Sequence, residues 1–127
     1  MAEMSPELEQ SLHAKFPRIF ADLFANHVDG AAAGLHCGDG WFFLLDALCE
    51  GLQWETDHAG APQVVVRQVK EKFGGLRFHA GVVSGEQRGM IQLATRLSER
   101  VCETCGVPAE RIDGRGIATR CAAHARA

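Results

Sequence analysis

Cys102-Glu103-Thr104-Cys105, answered later by Cys121-Ala122-Ala123-His124, decides how the last quarter of this chain folds. Two thiols two residues apart form one knuckle, and a thiol and an imidazole with matching spacing form a second. Three cysteines and one histidine so paired are the donor set of a closed tetrahedral zinc site. Gly106 follows Cys105 directly and can take the left-handed conformation that such knuckles often need. Between the knuckles, Gly114, Gly116 and the apolar pair Ile117-Ala118 give enough chain to go out, turn and come back as a strand carrying Cys121. His124 then falls on the first turn after that strand.

Two other readings of the same cysteines are weaker. A redox C-x-x-C opens a helix in a thioredoxin-like pattern, whereas this one follows the end of a helix. A disulfide pair suits an oxidising compartment, but no leader is visible before the first helix, so a reducing, cytoplasmic setting is expected. With Cys102, Cys105, Cys121 and His124 all bound, zinc has no open position for water. The expected metal is therefore structural, and its binding energy becomes folding energy for a tail too short to have its own core.

Working back from this segment, the 127 residues fit one domain, with an α+β core over 1–101 and a zinc-binding tail over 102–127. At 46% apolar and 23% charged, the makeup is that of an ordinary globular protein, and no apolar run is long enough to cross a membrane. A net charge of −3 argues against whole-molecule attraction to DNA. The charge is uneven: Met1 to Gly85 carries 6 basic and 11 acidic side chains, Glu86 to Ala127 carries 7 basic and 5 acidic. Neither half is extreme enough to name a partner.

The helix leading into the first knuckle is expected from about Glu86 to Val101, with Met90, Ile91, Ala94, Leu97 and Val101 on one face. At the other end of the chain, Ser5-Pro6-Glu7 reads as a helix start with a capping hydroxyl, and Pro17 limits that helix to about Lys15. A second short helical piece over 17–24 shows Ile19, Phe20, Leu23 and Phe24 on one side, and 28–35 reads as a loop. Asp39 fits an N-cap for a central core helix from about Gly40 to Leu52, whose stripe is Trp41, Leu44, Leu45, Leu48, Cys49 and Leu52. Residues 53–62 read as polar and turn-forming.

Val64-Val65-Val66 opens a strand running to about Phe73, Gly74-Gly75 fits a two-residue hairpin turn, and Leu76 to Ala80 returns. That turn pairs Phe73 with Leu76, Lys72 with Arg77, Glu71 with Phe78 and Lys70 with His79. Alternation then puts Val69, Phe73, Leu76, Phe78 and Ala80 on the core face, and Lys70, Lys72, Arg77 and His79 on the other. Two like-charged cross-strand pairs in succession cost a few tenths to about 1 kcal/mol each. The face is either solvated, with Asp46 and Glu50 to neutralise it, or a surface that receives an anionic partner.

Other residues carry less. Cys37 beside His36 lacks an orienting third group and reads as a small residue packed under Trp41, and Cys49 reads as core. Asp57-His58 with Pro62 faintly suggests a second metal and a nuclease or hydrolase, but no catalytic helix with another histidine follows. Trp54 reads as a lid on the core.

Taken together, Cys37-Gly-Asp-Gly-Trp-Phe42, Gln68-Val-Lys-Glu-Lys-Phe-Gly-Gly-Leu-Arg-Phe78, Cys102-Glu-Thr-Cys-Gly106 and Thr119-Arg-Cys-Ala-Ala-His124 resemble a group of small proteins of phages and prophage-bearing bacteria. The likeness covers most of the chain from Leu35 onward. The group commonly has an acid at the place of His36 and an aromatic at that of His79. The resemblance brings no particular activity with it, and a phage setting suggests an inhibitor of a host defence system such as an anti-CRISPR protein.

The function expected is thus non-catalytic binding of a macromolecular partner, a protein first, through Lys70, Lys72, Arg77 and His79. The alternative is a nucleic-acid-binding module that adds Arg111, Arg115 and Arg120 from the tail.

Overall fold

The computed structural model describes residues 3–25, 34–114 and 116–125. Most of the loop expected over 28–35 lies outside the described residues, as does Arg115. The architecture is α+β. Helix α1 (Pro6–Lys15) and the short α2 (Ala21–Ala25) precede a two-residue strand β1 (Leu35–His36). Helix α3 (Phe42–Ala59), strands β2 (Val66–Lys72) and β3 (Gly75–Ala80), helix α4 (Gly85–Ser98) and strands β4 (Glu110–Asp113) and β5 (Ile117–Arg120) follow. One sheet has the order β1-β2-β3, with β1 parallel and β3 antiparallel to β2, and β4-β5 is a separate antiparallel pair.

One core holds the elements together. Leu12, Ile19, Phe20, Trp41, Leu45, Leu52, Val66, Val69 and Leu76 are fully buried in it. The helical spacing of Trp41, Leu45, Leu48, Cys49 and Leu52 is thus a buried stripe, as their periodicity requires. Helices α3 and α4 run antiparallel: Trp41 reaches Val101 at one end, and Gln87 reaches Leu52 at the other. Gln87 is fully buried, and its amide donates to the Leu52 carbonyl, to Thr56 Oγ1 and to the Pro62 carbonyl. The same residue closes a capping box with Ser84 at the start of α4.

Four expectations about local structure are corrected. Helix α3 does not stop at Leu52. It continues to Ala59, where Gly60 turns left-handed, because Thr56 and the Gln87 network hold the extra turns against α4. Asp39 does not cap α3: it sits in a 3-10 turn over Asp39–Trp41, and its carboxylate accepts from the Ser5 N–H at 2.8 Å. Ser5 precedes α1, but its hydroxyl makes no capping bond. Trp54 does not cover the core. It is 54% exposed and stacks on the His58 ring one helical turn away.

The hairpin turn lies one residue earlier than the glycine pair suggests. Phe73 (φ +55°) and Gly74 (φ +81°) are the two turn residues, Lys72 pairs with Gly75, Glu71 with Leu76, Lys70 with Arg77, Val69 with Phe78 and Gln68 with His79. Two positive φ values match the twist that two-residue hairpins favour. The Glu71 carboxylate accepts from the Gly74 N–H at 2.8 Å and fixes the turn. Moving the turn by one residue shifts every pairing by an even count, so each strand keeps its faces. Lys70, Lys72, Arg77 and His79 still share one side, but neither expected like-charge pair forms, and the one that does is Lys70 opposite Arg77. Phe73 leaves the core face and is 55% exposed at the tip.

Candidate metal centre

The helix α4 delivers the chain to Val101, which bridges to Pro108, and the Cys102 N–H donates to the Val107 carbonyl at 2.8 Å. Gly106, at φ +87°, lets its N–H return to the Cys102 carbonyl at 2.9 Å, closing the first knuckle. Strands β4 and β5 pair from Glu110↔Arg120 to Asp113↔Ile117 and bring Cys121 back beside it. A 3-10 turn over Ala122–His124, in which the His124 backbone N–H donates to the Cys121 carbonyl at 3.0 Å, then brings the imidazole beside the sulfurs.

The four expected donors meet. The sulfurs of Cys102, Cys105 and Cys121 and a ring nitrogen of His124 all lie within 4.8 Å of one another. Cys105 and Cys121 sulfurs are 3.6 Å apart, and His124 Nδ1 lies 3.2 Å from Cys121 and 3.8 Å from Cys102. Cys102 is buried, Cys121 and His124 are half-buried, and Cys105 is exposed. Burial pushes the Cys102 thiol up, but backbone hydrogen bonds from Cys121, Cys105 and Thr104 outweigh it and draw the thiol down to about 6. At Cys105 the Val107 N–H favours the thiolate, yet desolvation and the neighbouring thiols carry the net shift upward. The donors and their spacing are consistent with a metal site.

Two residues between the cysteines fasten the site to the rest of the fold. The Glu103 carbonyl accepts from the Gly40 N–H at 2.7 Å, and its carboxylate accepts from the Gly38 N–H at 2.9 Å. A Cβ on Gly40 would overlap the Cys102 carbonyl oxygen, and one on Gly38 would overlap that of Glu103. Hence Cys37-Gly-Asp-Gly-Trp41 carries glycines because two backbones touch there. Trp41 Nε1 donates to the Val101 carbonyl at 2.9 Å. On the far side, buried Thr119 donates its hydroxyl to the Gly74 carbonyl at 2.7 Å, so the hairpin turn rests on β5. Glu103 is almost fully buried, and desolvation raises its carboxyl above the usual range, only partly offset by the Gly38 N–H. The sequence reading missed Glu103 and Thr119. A signal existed in an acid held inside a C-x-x-C knuckle, but its partners are sixty-odd residues away.

The remaining candidates lie elsewhere. Lys70 and Arg77 are half-exposed and Lys72 and His79 exposed on the outer face of β2–β3, with the Lys72 ammonium over the Phe73 ring. Asp46, expected near them, instead pairs with Lys15 at 2.6 Å. Arg111 approaches Glu99 at 3.9 Å, and its side chain lies against the hairpin turn at Gly74. Asp57 and His58 are exposed near the end of α3, where Asp57 accepts from Gln53 and His58 Nδ1 lies 3.2 Å from the Trp54 carbonyl. They join no group of three or more metal donors among the described residues. Cys37 and Cys49 are buried, and burial pushes the Cys37 thiol up to about 12 and that of Cys49 higher still, which suits packing rather than chemistry.

No helix among the described residues is long and apolar enough to cross a membrane. Compared with known proteins, the chain matches no family model, no curated protein and no solved structure.

Proposed function

We propose that this protein is a non-enzymatic, zinc-stabilised binding module whose partner is another macromolecule, a protein in the first place. The observation that carries it is the convergence of Cys102, Cys105, Cys121 and His124 on one point of a segment already bonded to the core. Three thiolates and one imidazole select zinc over harder cations. Bond lengths of roughly 2.3 Å to sulfur and 2.0 Å to nitrogen give tetrahedral edges of about 3.8 and 3.6 Å. Three of the six separations, at 3.2, 3.6 and 3.8 Å, sit close to those edges, and all six lie within 4.8 Å. Four protein donors fill the coordination shell, so zinc here supplies folding energy and no activated water.

The surface left for recognition is the outer face of β2–β3 with Lys70, Lys72, Arg77 and His79. A phage-encoded inhibitor of a host defence system is one form such a binder takes, in keeping with the resemblance. Purified protein should carry one zinc per chain, and a strong chelator should unfold the C-terminal segment. A chain purified without metal, or one whose circular dichroism ignores the chelator, would remove the basis of this reading. Affinity capture from a host cell with the native chain and with Lys72→Glu/Arg77→Glu then tests the face. Equal capture of the same partner by both would reject it.

One observation favours nucleic acid as a second reading: Arg111 lies beside the hairpin turn, extending the basic face toward the metal. Arg120 is half-buried and acts on Glu103 instead. Phosphate binding should weaken steeply with added salt, whereas a hydrophobic protein interface should respond little.

A further inference from the structure

A groove of about 500 Å³ opens between α3 and α4, lined by apolar side chains that include Leu44, Ala47, Met90, Ala94 and Leu97. Its rims are large and uncovered: Phe43 on α3 is 79% exposed and Leu93 on α4 is 58% exposed. Exposed apolar surface gathered in one place marks a contact surface. The sequence of α4 says what fits it. Glu86 stands one heptad before Leu93 on the same stripe of α4, and Arg100 lies seven residues after Leu93, in the turn just past the helix end. That turn stays close to the helix end, since the Arg100 N–H bonds the Leu97 carbonyl three residues back. Glu86 and Arg100 are both exposed, and neither is in an ion pair among the described residues.

Gly89 and Leu97 lie four residues either side of Leu93. Leu97 is 46% exposed at the groove, while a Cβ on Gly89 would meet open space. The stripe is therefore complementary to its own reverse: acid answers base, and an empty position answers a large side chain. We infer that the α3–α4 face is a two-fold interface with a second copy of this chain, centred on Leu93, with α4 antiparallel to its mate. In that arrangement Leu93 packs on Leu93 of the other copy, Leu97 on Gly89, and Glu86 against Arg100, each twice by symmetry. The apolar rim of Phe43 is covered by the same contact. The interface uses none of the residues of the basic hairpin face, so it stands or falls separately from the function proposed above.

Sedimentation equilibrium of the full zinc-loaded chain over a range of concentrations tests it. The mass should reach twice the 13.8 kDa of one chain. Leu93→Glu should hold the protein at one chain. Arg100→Glu alone and Glu86→Arg alone should each raise the dissociation constant about tenfold, because symmetry repeats the clash. Arg100→Glu combined with Glu86→Arg should bring it back, which a merely structural role for either residue would not do. Unchanged zinc content and circular dichroism show that each variant is folded. A native chain that stays at single mass at every concentration overturns the proposal. So does a dimer indifferent to Leu93→Glu, or a double charge swap that fails to restore association.

Discussion

Gly40 donates its backbone N–H to the carbonyl oxygen of Glu103 at 2.7 Å, which joins the start of the central helix to the middle of the first metal knuckle. The glycine is required by contact and not by conformation, since a Cβ there would overlap the Cys102 carbonyl oxygen. Backbone on both sides leaves no flexible side chain to move away.

Gly40→Ala should therefore cost about 2–3 kcal/mol, the upper part of the usual range for forcing a methyl into a packed site. Urea unfolding of the zinc-loaded protein measures it, and zinc retention against a competing chelator should fall in parallel. A variant as stable as the native chain would show that the two backbones can separate without loss.

Loss of metal should be felt at Trp41. Its indole is fully buried and donates to the Val101 carbonyl one residue before the first ligand. Structural zinc supplies roughly 10–16 kcal/mol in small finger peptides, far more than this short tail can replace. In a Trp54→Phe background, which removes the exposed indole, chelation or Cys121→Ala should shift Trp41 emission to longer wavelength. Emission that stays blue after the metal is gone would mean that the knuckle holds its shape unaided.

Lys70 faces Arg77 across the hairpin. Lys70→Glu turns a like-charge pair into an opposite one and should raise stability by about 0.2–1 kcal/mol. The same change should weaken binding of a partner that reads the basic face. Thermal unfolding and the capture assay separate the two effects, and a destabilised Lys70→Glu protein would contradict the observed register.

Phe73 holds φ at +55° while more than half exposed, a conformation that costs a bulky residue on the order of 1–3 kcal/mol. Phe73→Asn, which tolerates that region, should stabilise the hairpin by about 1 kcal/mol. Denaturant midpoints check this. If partner binding falls while stability rises, the exposed ring is part of the recognised surface.

Local chemistry made some of this structure readable from the sequence. Pro6 and Pro17 bracket the first helix, the apolar period of 41–52 marks the core helix, and two paired knuckles mark the metal ligands. Each of these is set by residues close together in the chain, through backbone restriction, one-face hydrophobicity or metal-donor spacing. The faces of the hairpin followed from strand alternation, and an even shift in pairing left them intact.

The turn position, the length of α3 and the anchoring of the knuckle depended on tertiary structure instead. The glycines at 74 and 75 allow either turn, and the choice falls to Glu71 on the Gly74 N–H and Thr119 on the Gly74 carbonyl. Residues 53–59 have turn-like polarity but become helix because Gln87, more than twenty residues away, satisfies the groups at its edge. The sequence by itself determined which four residues come together as candidate metal donors, because two-residue spacing brings paired donors to one side of a tight knuckle. Only the tertiary structure decided that Gly38 and Gly40 press against Glu103, because a contact between distant backbones leaves no periodic mark in the chain.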